Sequence, residues 1–150
     1  MTTGSASVVI NRDPATVFAA ISDVTRTGEW SPECTAGRWV GRAPGPALGA
    51  TFEGDNEFKL AGRSLKQWTT TSEVTQCVPG EVFEFIAEGY TTWRYELTPV
   101  DGGTQVTESF DFTTASALQR FMYETLARRP ASMVKGMQQT LDRIKAHLES

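Results

Sequence analysis

The sequence predicts an α+β fold in which a curved antiparallel β-sheet of about six or seven strands wraps around a long C-terminal helix. Residues 35–112 read almost entirely as alternating strands, separated by short Gly-containing turns. No strand–helix–strand repeat interrupts them, so neighbouring strands are expected to run antiparallel. The last twenty residues instead carry an apolar stripe with helical steps of 4, 4, 3 and 4, formed by Met133, Met137, Leu141, Ile144 and Leu148.

The first strand is predicted over residues 5–12, and two short helices follow it. Asp13 suits the N-cap of the first helix and Pro14 suits its first turn, where a missing N–H is harmless. A second, shorter helical piece is expected over residues 24–30, because Ser31-Pro32 disfavours its continuation.

The meander that follows is clearest in residues 51–60. Phe52, Asn56 and Phe58 alternate there with charged residues, which predicts that Asn56 shares the inner face with two phenylalanines. The other strands are expected around residues 38–40, 65–78, 83–85, 93–98 and 106–112.

Residues 115–128 change to a helical period, with Leu118, Phe121 and Met122 on one side. Pro130 is expected to break or kink this helix before the terminal one begins. Phe121 and Met122 are therefore candidates to close one end of the space between sheet and terminal helix.

Length and charge restrict the possible classes of protein. The 150 residues fit one domain, and the net charge of −4 argues against a nucleic-acid partner. No leader is evident and no apolar run approaches ~18 residues, so we expect no stable membrane insertion. Cys34 and Cys77 show no ligand-like spacing and are interpreted as reduced thiols of a cytoplasmic protein, either a monomer or a homodimer.

The residues needed for the strong catalytic motifs are missing. His147 is the one histidine and is expected at the surface, so neither a Ser-His-Asp triad nor a zinc site can be assembled. No Gly-rich phosphate loop is present. We therefore expect no metal and no cofactor.

Several stretches resemble the polyketide cyclase/dehydrase-like branch of the START-related SRPBCC superfamily, which has the helix-grip fold. The resemblance spans essentially the whole chain. The matching stretches are Asp23 with Glu29-Trp30-Ser31-Pro32-Glu33, Trp68-Thr69-Thr70-Thr71, Pro79-Gly80, Trp93-Arg94-Tyr95-Glu96, Gly102-Gly103-Thr104, Val106-Thr107-Glu108-Ser109, Gly136-Met137 and Leu141-Asp142-Arg143-Ile144-Lys145.

The resemblance implies a deep apolar cavity between the sheet and the long helix. Large side chains on the inward side of the predicted strands and helix are compatible with such a cavity, although they could equally fill a solid core. The candidate ligand-binding residues are Trp30, Trp39, Phe52, Asn56, Phe58, Trp68, Phe83, Phe85, Trp93, Tyr95, Glu108, Phe110, Phe112, Met122, Met133 and Met137. Among these, Trp30 either gates the cavity mouth or caps the core.

Three polar members of this set have alternative interpretations. Glu108 either points into the cavity as a general acid or base, or uses a bulge or strand end to reach water or an arginine. Asn56 either orients a ligand carbonyl or satisfies a backbone group. Tyr95 presents its hydroxyl to a ligand or to a neighbouring strand.

The resulting expectation is a protein that binds a hydrophobic small molecule, such as a lipid, isoprenoid or polyketide. The alternative is an enzyme of the polyketide cyclase/aromatase or dehydrase kind, with Glu108, Tyr95 and Asn56 as working groups. A third interpretation is a regulatory or partner-binding protein with a vestigial cavity.

Overall fold

The computed structural model describes residues 3–41, 45–121 and 129–150. Seven strands, three α-helices and one 3₁₀ helix lie in these ranges. In chain order they are β1 (Thr3–Ile10), α1 (Pro14–Ser22), the 3₁₀ helix (Val24–Glu29), β2 (Cys34–Val40), β3 (Thr51–Leu60), β4 (Arg63–Val78), β5 (Val82–Ala87), β6 (Thr91–Val100), β7 (Gly103–Asp111), α2 (Ala117–Phe121) and α3 (Arg129–Glu149).

All seven strands form one antiparallel sheet in the order β1-β7-β6-β5-β4-β3-β2. The strands from β2 to β7 are a meander in which each pairs with the next in sequence, and β1 returns to pair with β7. The inward residues of neighbouring strands therefore lie side by side across the whole sheet. The predicted α+β class is confirmed, with seven strands.

The two short helices after β1 are held by carboxylate caps. Asp13 accepts hydrogen bonds from the backbone N–H and the hydroxyl of Thr16, at 3.2 and 2.6 Å, and Pro14 is the first residue of α1 as predicted. Asp23 caps the 3₁₀ helix in the same way through Thr25. That helix lies so close to β2 that a Cβ on Gly37 would be 2.2 Å from the carbonyl oxygen of Val24.

The predicted stripe of α3 is buried against the sheet. Met133, Met137, Leu141 and Ile144 are each at most 6% exposed. The C-terminal half of the helix packs into a core that contains Ile10, Val17, Phe18, Phe83, Leu97 and Val106. This end of the interior is filled with side chains, as in an ordinary core.

A second core cluster lies under the N-terminal half of α3. It joins Met133 and Met137 to Phe110, Phe112 and Ala115. The rings of Phe110 and Phe112 are stacked with 5.9 Å between centroids, and both are at most 2% exposed. These two phenylalanines were expected to line a cavity and instead are core residues, because Met133 and Met137 of α3 pack on them.

The segment between β7 and α3 departs from the prediction. Within the described residues, α2 has no buried side chain, and Leu118 and Phe121 are 69% and 53% exposed. Phe121 therefore does not close the space between sheet and helix. Met122 and the rest of the predicted helix to residue 128 lie outside the described residues.

Candidate functional site

A cavity of about 550 Å³ lies between the inner face of the sheet and α3. Strands β3 to β7 form its floor, α3 forms its roof, and the 3₁₀ helix with residues 30–33 forms one side wall. This volume is within the range of roughly 300–1,000 Å³ that is typical of small-molecule sites. The interior thus contains two packed clusters of side chains and, beside them, an open space that α3 borders from Ser132 to Ile144.

Aromatic rings cover the apolar part of the floor. Phe52 and Phe85 meet edge to face with 4.9 Å between ring centroids, and Phe85 lies 5.8 Å from Phe83. Met133 and Met137 face this floor from α3, and both also touch the Phe110 cluster. The helix α3 therefore packs on core side chains and also forms one wall of the cavity.

Gly136 is a position without a side chain in the roof of the cavity. It sits in the interior of α3, between the two wall methionines, where glycine costs about 1 kcal/mol relative to alanine. Among the described residues, a Cβ at this position would meet only the ring of Pro32, at 3.7 Å. Backbone geometry does not require this glycine, whereas any larger side chain would occupy the cavity.

Tyr95 and Glu108 form a polar pair in the cavity wall. They are direct register partners on β6 and β7, and the Tyr95 hydroxyl donates a hydrogen bond to the Glu108 carboxyl group. Glu108 is only 4% exposed, and its Oε1 atom has no hydrogen-bond partner among the described residues.

Burial has the largest effect on the pKa values of Glu108 and Tyr95. Loss of water raises the pKa of Glu108 to about 8, although the hydrogen bond from Tyr95 acts in the opposite direction. Burial, followed by the proximity of Glu108, also raises the pKa of Tyr95 well above its usual value. At neutral pH both groups are predominantly protonated.

The geometry around Glu108 and Tyr95 separates the alternatives predicted for them. The pairing of Glu108 with Ala6 and Tyr95 is regular, without a bulge, and the side chain points inward rather than to water or an arginine. Tyr95 gives its hydroxyl to the neighbouring strand. The carboxyl group is consequently held in the cavity wall by its partner.

Asn56 on β3 adds a further polar side chain to the cavity wall that holds Tyr95 and Glu108. Its Nδ2 atom donates to the Gly54 carbonyl and to the Thr70 hydroxyl, at 3.2 Å each, so the amide does satisfy a backbone group. Cys34 lies beside them, and burial raises the pKa of its thiol to about 11. Tyr95, Glu108, Asn56, Thr70 and Cys34 all line the same cavity.

The mouth of the cavity lies at the projecting β3–β4 hairpin. Pairing of β3 with β2 stops at Asn56, so none of the described strands lies beside the hairpin tip. Phe58 is inward by parity but 49% exposed for this reason. Lys59 and Trp68 also border the opening, and exposed Lys135 does so from α3.

Most of the predicted binding residues surround the cavity, although their role in binding stays a prediction. Those that line it are Trp30, Phe52, Asn56, Phe58, Trp68, Phe83, Phe85, Trp93, Tyr95, Glu108, Met133 and Met137. Trp39, Phe110 and Phe112 do not, because Trp39 packs edge to face on Phe52 at the sheet edge and the other two are core residues.

Trp30 lies between the two roles proposed for it. Its ring is 3% exposed and belongs to the core, which fits a cap, yet it also borders the cavity. Arg26 stacks over the ring at 5.0 Å, and exposed His147 meets it edge to face at 6.0 Å. Its burial and its stacking contacts favour the cap, and a gating role stays a prediction.

Sequence reasoning missed the small and polar lining residues. Cys34, Thr70, Ser72 and Gly136 have no large apolar side chain, so a search for aromatic residues and methionines passes over them. Thr70 and Ser72 share strand parity with Trp68 and Val74, which was a usable signal. Glycine in the middle of an amphipathic helix was another.

No group of three His, Cys, Asp or Glu side chains in the described ranges is placed to hold a metal ion. Within the same ranges, no helix has the length and apolar character needed to cross a membrane.

Comparison with known proteins agrees with the fold. Residues 1–149 match the family model described as polyketide cyclase/dehydrase and lipid transport. The Polyketide_cyc-like protein Cgl2372 from Corynebacterium glutamicum is 34% identical, with 99% of this chain and 91% of that chain covered and a TM-score of 0.66. No curated protein matches the sequence significantly.

Two more distant structures share the fold alone. The AHSA1-like protein from Aeromonas hydrophila is 22% identical, with 98% of this chain and 92% of that chain covered and a TM-score of 0.66. Ms6760 from Mycobacterium smegmatis is 16% identical, with 99% of this chain and 91% of that chain covered and a TM-score of 0.68. The match to the family model over nearly the whole chain shows that this protein belongs to the polyketide cyclase/dehydrase and lipid transport family of the SRPBCC superfamily.

Proposed function

We propose that the protein binds one hydrophobic small molecule, of the lipid, isoprenoid or polyketide type, in the cavity between the sheet and α3. The cavity itself carries this proposal: its floor is aromatic, its roof is formed by Met133 and Met137, and a few polar groups lie along one wall. Flat rings stack on such a floor and methionines adapt to an irregular ligand. Family membership supports the same class of ligand.

The proposal is tested by blocking the cavity from its roof. Dodecanol, farnesol and emodin represent the three ligand types, and native mass spectrometry with thermal denaturation measures their binding. Gly136→Trp should abolish binding because the indole would fill the space beside Pro32. Ala146→Trp places the same ring on the exposed face of α3 and should bind like the wild type.

Two results would contradict this function. One is the absence of any bound or stabilising ligand in the wild-type protein. The other is unchanged binding by a folded Gly136→Trp variant, which would place the ligand elsewhere.

An enzyme of the cyclase or dehydrase kind is the second candidate. It is favoured by one observation, the placement of Asn56, Tyr95 and Glu108 on the wall of one apolar cavity. A protonated carboxyl group beside a hydroxyl can protonate a ligand carbonyl oxygen, and its carboxylate form can accept a proton from the neighbouring carbon. Those two transfers produce the enol from which cyclisation or dehydration proceeds.

Proton exchange separates the enzyme from the carrier. In D₂O the methyl protons of 2-acetylnaphthalene exchange slowly, and NMR follows their loss. An enzyme should accelerate this exchange, Glu108→Gln should remove the acceleration, and the exposed carboxyl variant Glu96→Gln should retain it. Binding of the ketone without faster proton exchange would rule out the enzyme and leave the carrier function as the remaining candidate.

The cellular setting remains part of the proposal. Both cysteines are free thiols, which fits a reducing cytoplasm. We propose a cytoplasmic monomer or homodimer, and light scattering on the purified protein distinguishes the two. A mass other than one or two chains would contradict this part.

A further inference from the structure

We infer that the buried Glu108–Tyr95 pair selects ligands that present an uncharged hydrogen-bond acceptor, such as a ketone or ester carbonyl, and rejects ligands that carry a carboxylate into the cavity. The inference rests on the proposed binding function and adds the chemical class of the bound atom.

The position of the pair inside the fold is the first argument. Glu108 is flanked on β7 by Val106 and Phe110, which are at most 2% exposed. Its register partner on the other side, Ala6 of β1, offers no side-chain hydrogen bond. Among the described residues, the carboxyl group is therefore open to a new partner from the cavity that it lines.

The unused hydrogen-bonding capacity is the second argument. The Tyr95 hydroxyl donates to the carboxyl group, whereas Oε1 is covered and unpartnered among the described residues. A buried polar atom without a partner is destabilising and is rare in folded proteins. The last torsion of a Glu side chain is soft, so a small rotation turns this oxygen towards a ligand.

The charges around the pair are the third argument. Two basic side chains belong to the described lining, Lys59 and Lys135, and both are exposed at the mouth. Lys59 is already ion-paired with Glu57 at 3.1 Å, so within the described lining no basic side chain lies inside the cavity to pair with a ligand carboxylate. Burial of an unpaired carboxylate is strongly unfavourable.

The protonation state of Glu108 then determines which uncharged group of a ligand it can bind. Burial raises the pKa of Glu108 to about 8, so at neutral pH it is mostly a carboxylic acid with an O–H to donate. The neighbouring Cys34 thiol and Tyr95 hydroxyl are also neutral, because burial raises the pKa of each. An uncharged acceptor satisfies the acid O–H without creating a buried charge.

The test uses four probes with one naphthalene skeleton: 2-acetylnaphthalene, 2-isopropylnaphthalene, 2-naphthoate and 1-(2-naphthyl)ethylamine. Affinities are measured by competition or calorimetry at about pH 6. The ketone should bind about fivefold more tightly than the hydrocarbon, which corresponds to one net hydrogen bond. The carboxylate should bind at least about 100-fold more weakly than the ketone.

Variants and pH then assign the preference to Glu108. Raising the pH to about 9.5 ionises Glu108 and should remove the ketone preference in the wild type, while Tyr95 and Cys34 stay protonated. Glu108→Gln keeps an N–H donor and should retain the preference at both pH values. Glu108→Leu has no hydrogen-bond donor and should lose the preference at both pH values.

Each other result has a definite meaning. Equal binding of ketone and hydrocarbon overturns the inference and leaves the binding function standing. Tightest binding of the amine overturns it in favour of an ionised Glu108 that recognises cations. If no probe binds, the proposed binding function fails and the inference fails with it.

Discussion

Replacing Glu108 with glutamine should change how the stability of the protein depends on pH. The carboxyl group has a pKa near 4.5 in the unfolded chain and about 8 in the fold, because burial disfavours its charge. Between these values the native state holds one more proton than the unfolded state, so stability falls as pH rises. Glutamine has almost the same shape and no such dependence.

The size of the effect follows from the two pKa values. Each tenfold change in a protonation constant is worth 1.36 kcal/mol, so a rise from 4.5 to about 8 corresponds to about 5 kcal/mol. The penalty is absent below pH 4.5, grows through the window, and is complete above pH 8. Glu108→Gln should therefore be about as stable as the wild type at low pH and several kcal/mol more stable at pH 8–9.

Urea denaturation at intervals between about pH 4.5 and 9 measures this difference directly. Glu96→Gln, on the outer face of the same sheet, removes an exposed carboxyl group and controls for the charge change. Parallel pH profiles for the wild type and Glu108→Gln would refute the reasoning, since they would mean that Glu108 is solvated in the folded protein.

Three further changes test other parts of the structure. Gly136→Ala should raise the free energy of unfolding by about 1 kcal/mol in a urea titration, because α3 gains helix propensity without a clash; a loss of stability would mean that the roof is packed. Arg94→Met should cost about 2 kcal/mol near pH 7, because Arg94 Nε donates at 2.6 Å to the buried Glu84 carboxylate. Burial tends to raise the pKa of Glu84, yet hydrogen bonds from Thr75 and Arg94 hold it below its usual value, so this cost should shrink as pH falls below 4.5 in an acid titration; a cost independent of pH would contradict the ion pair. Ala61→Asn should raise the melting temperature slightly, because Ala61 has φ of +53° in the two-residue β3–β4 turn, where asparagine is better tolerated; a lower melting temperature would contradict this turn geometry.

Periodicity in the sequence was sufficient to predict the fold. The apolar stripe of α3 is buried at each of its first four positions, and the alternation in residues 51–60 coincides with β3. Local signals also placed the Asp13 cap and Pro14. These features depend on spacing and on neighbouring residues, which a sequence displays directly.

The site was harder to predict because parity gives the direction of a side chain and not what it faces. Phe110 and Phe112 point inward as expected, yet they are buried in a core cluster with Met133 and Met137 of α3. Phe58 points inward too, but lies beyond the last strand neighbour and is half exposed. Whether an inward residue meets core, cavity or solvent is determined by the position of the helix over the sheet.

Glu108 illustrates the same limit in a polar residue. Its parity showed that it could face the interior, but a bulge or a nearby arginine would have changed its environment entirely. The regular pairing with Tyr95 and the surrounding apolar residues show that it is buried, and this burial raises its pKa to about 8. Such long-range contacts are not visible in the local pattern.

A crystal structure of the protein with 2-acetylnaphthalene would show whether the ligand binds where we propose. We expect the naphthalene rings between the Phe52–Phe85 floor and the two methionines of α3, with the ketone oxygen about 2.6–3.0 Å from a Glu108 carboxyl oxygen. A collapsed interior with the probe bound at the surface would contradict it, as would a probe whose ketone faces away from Glu108.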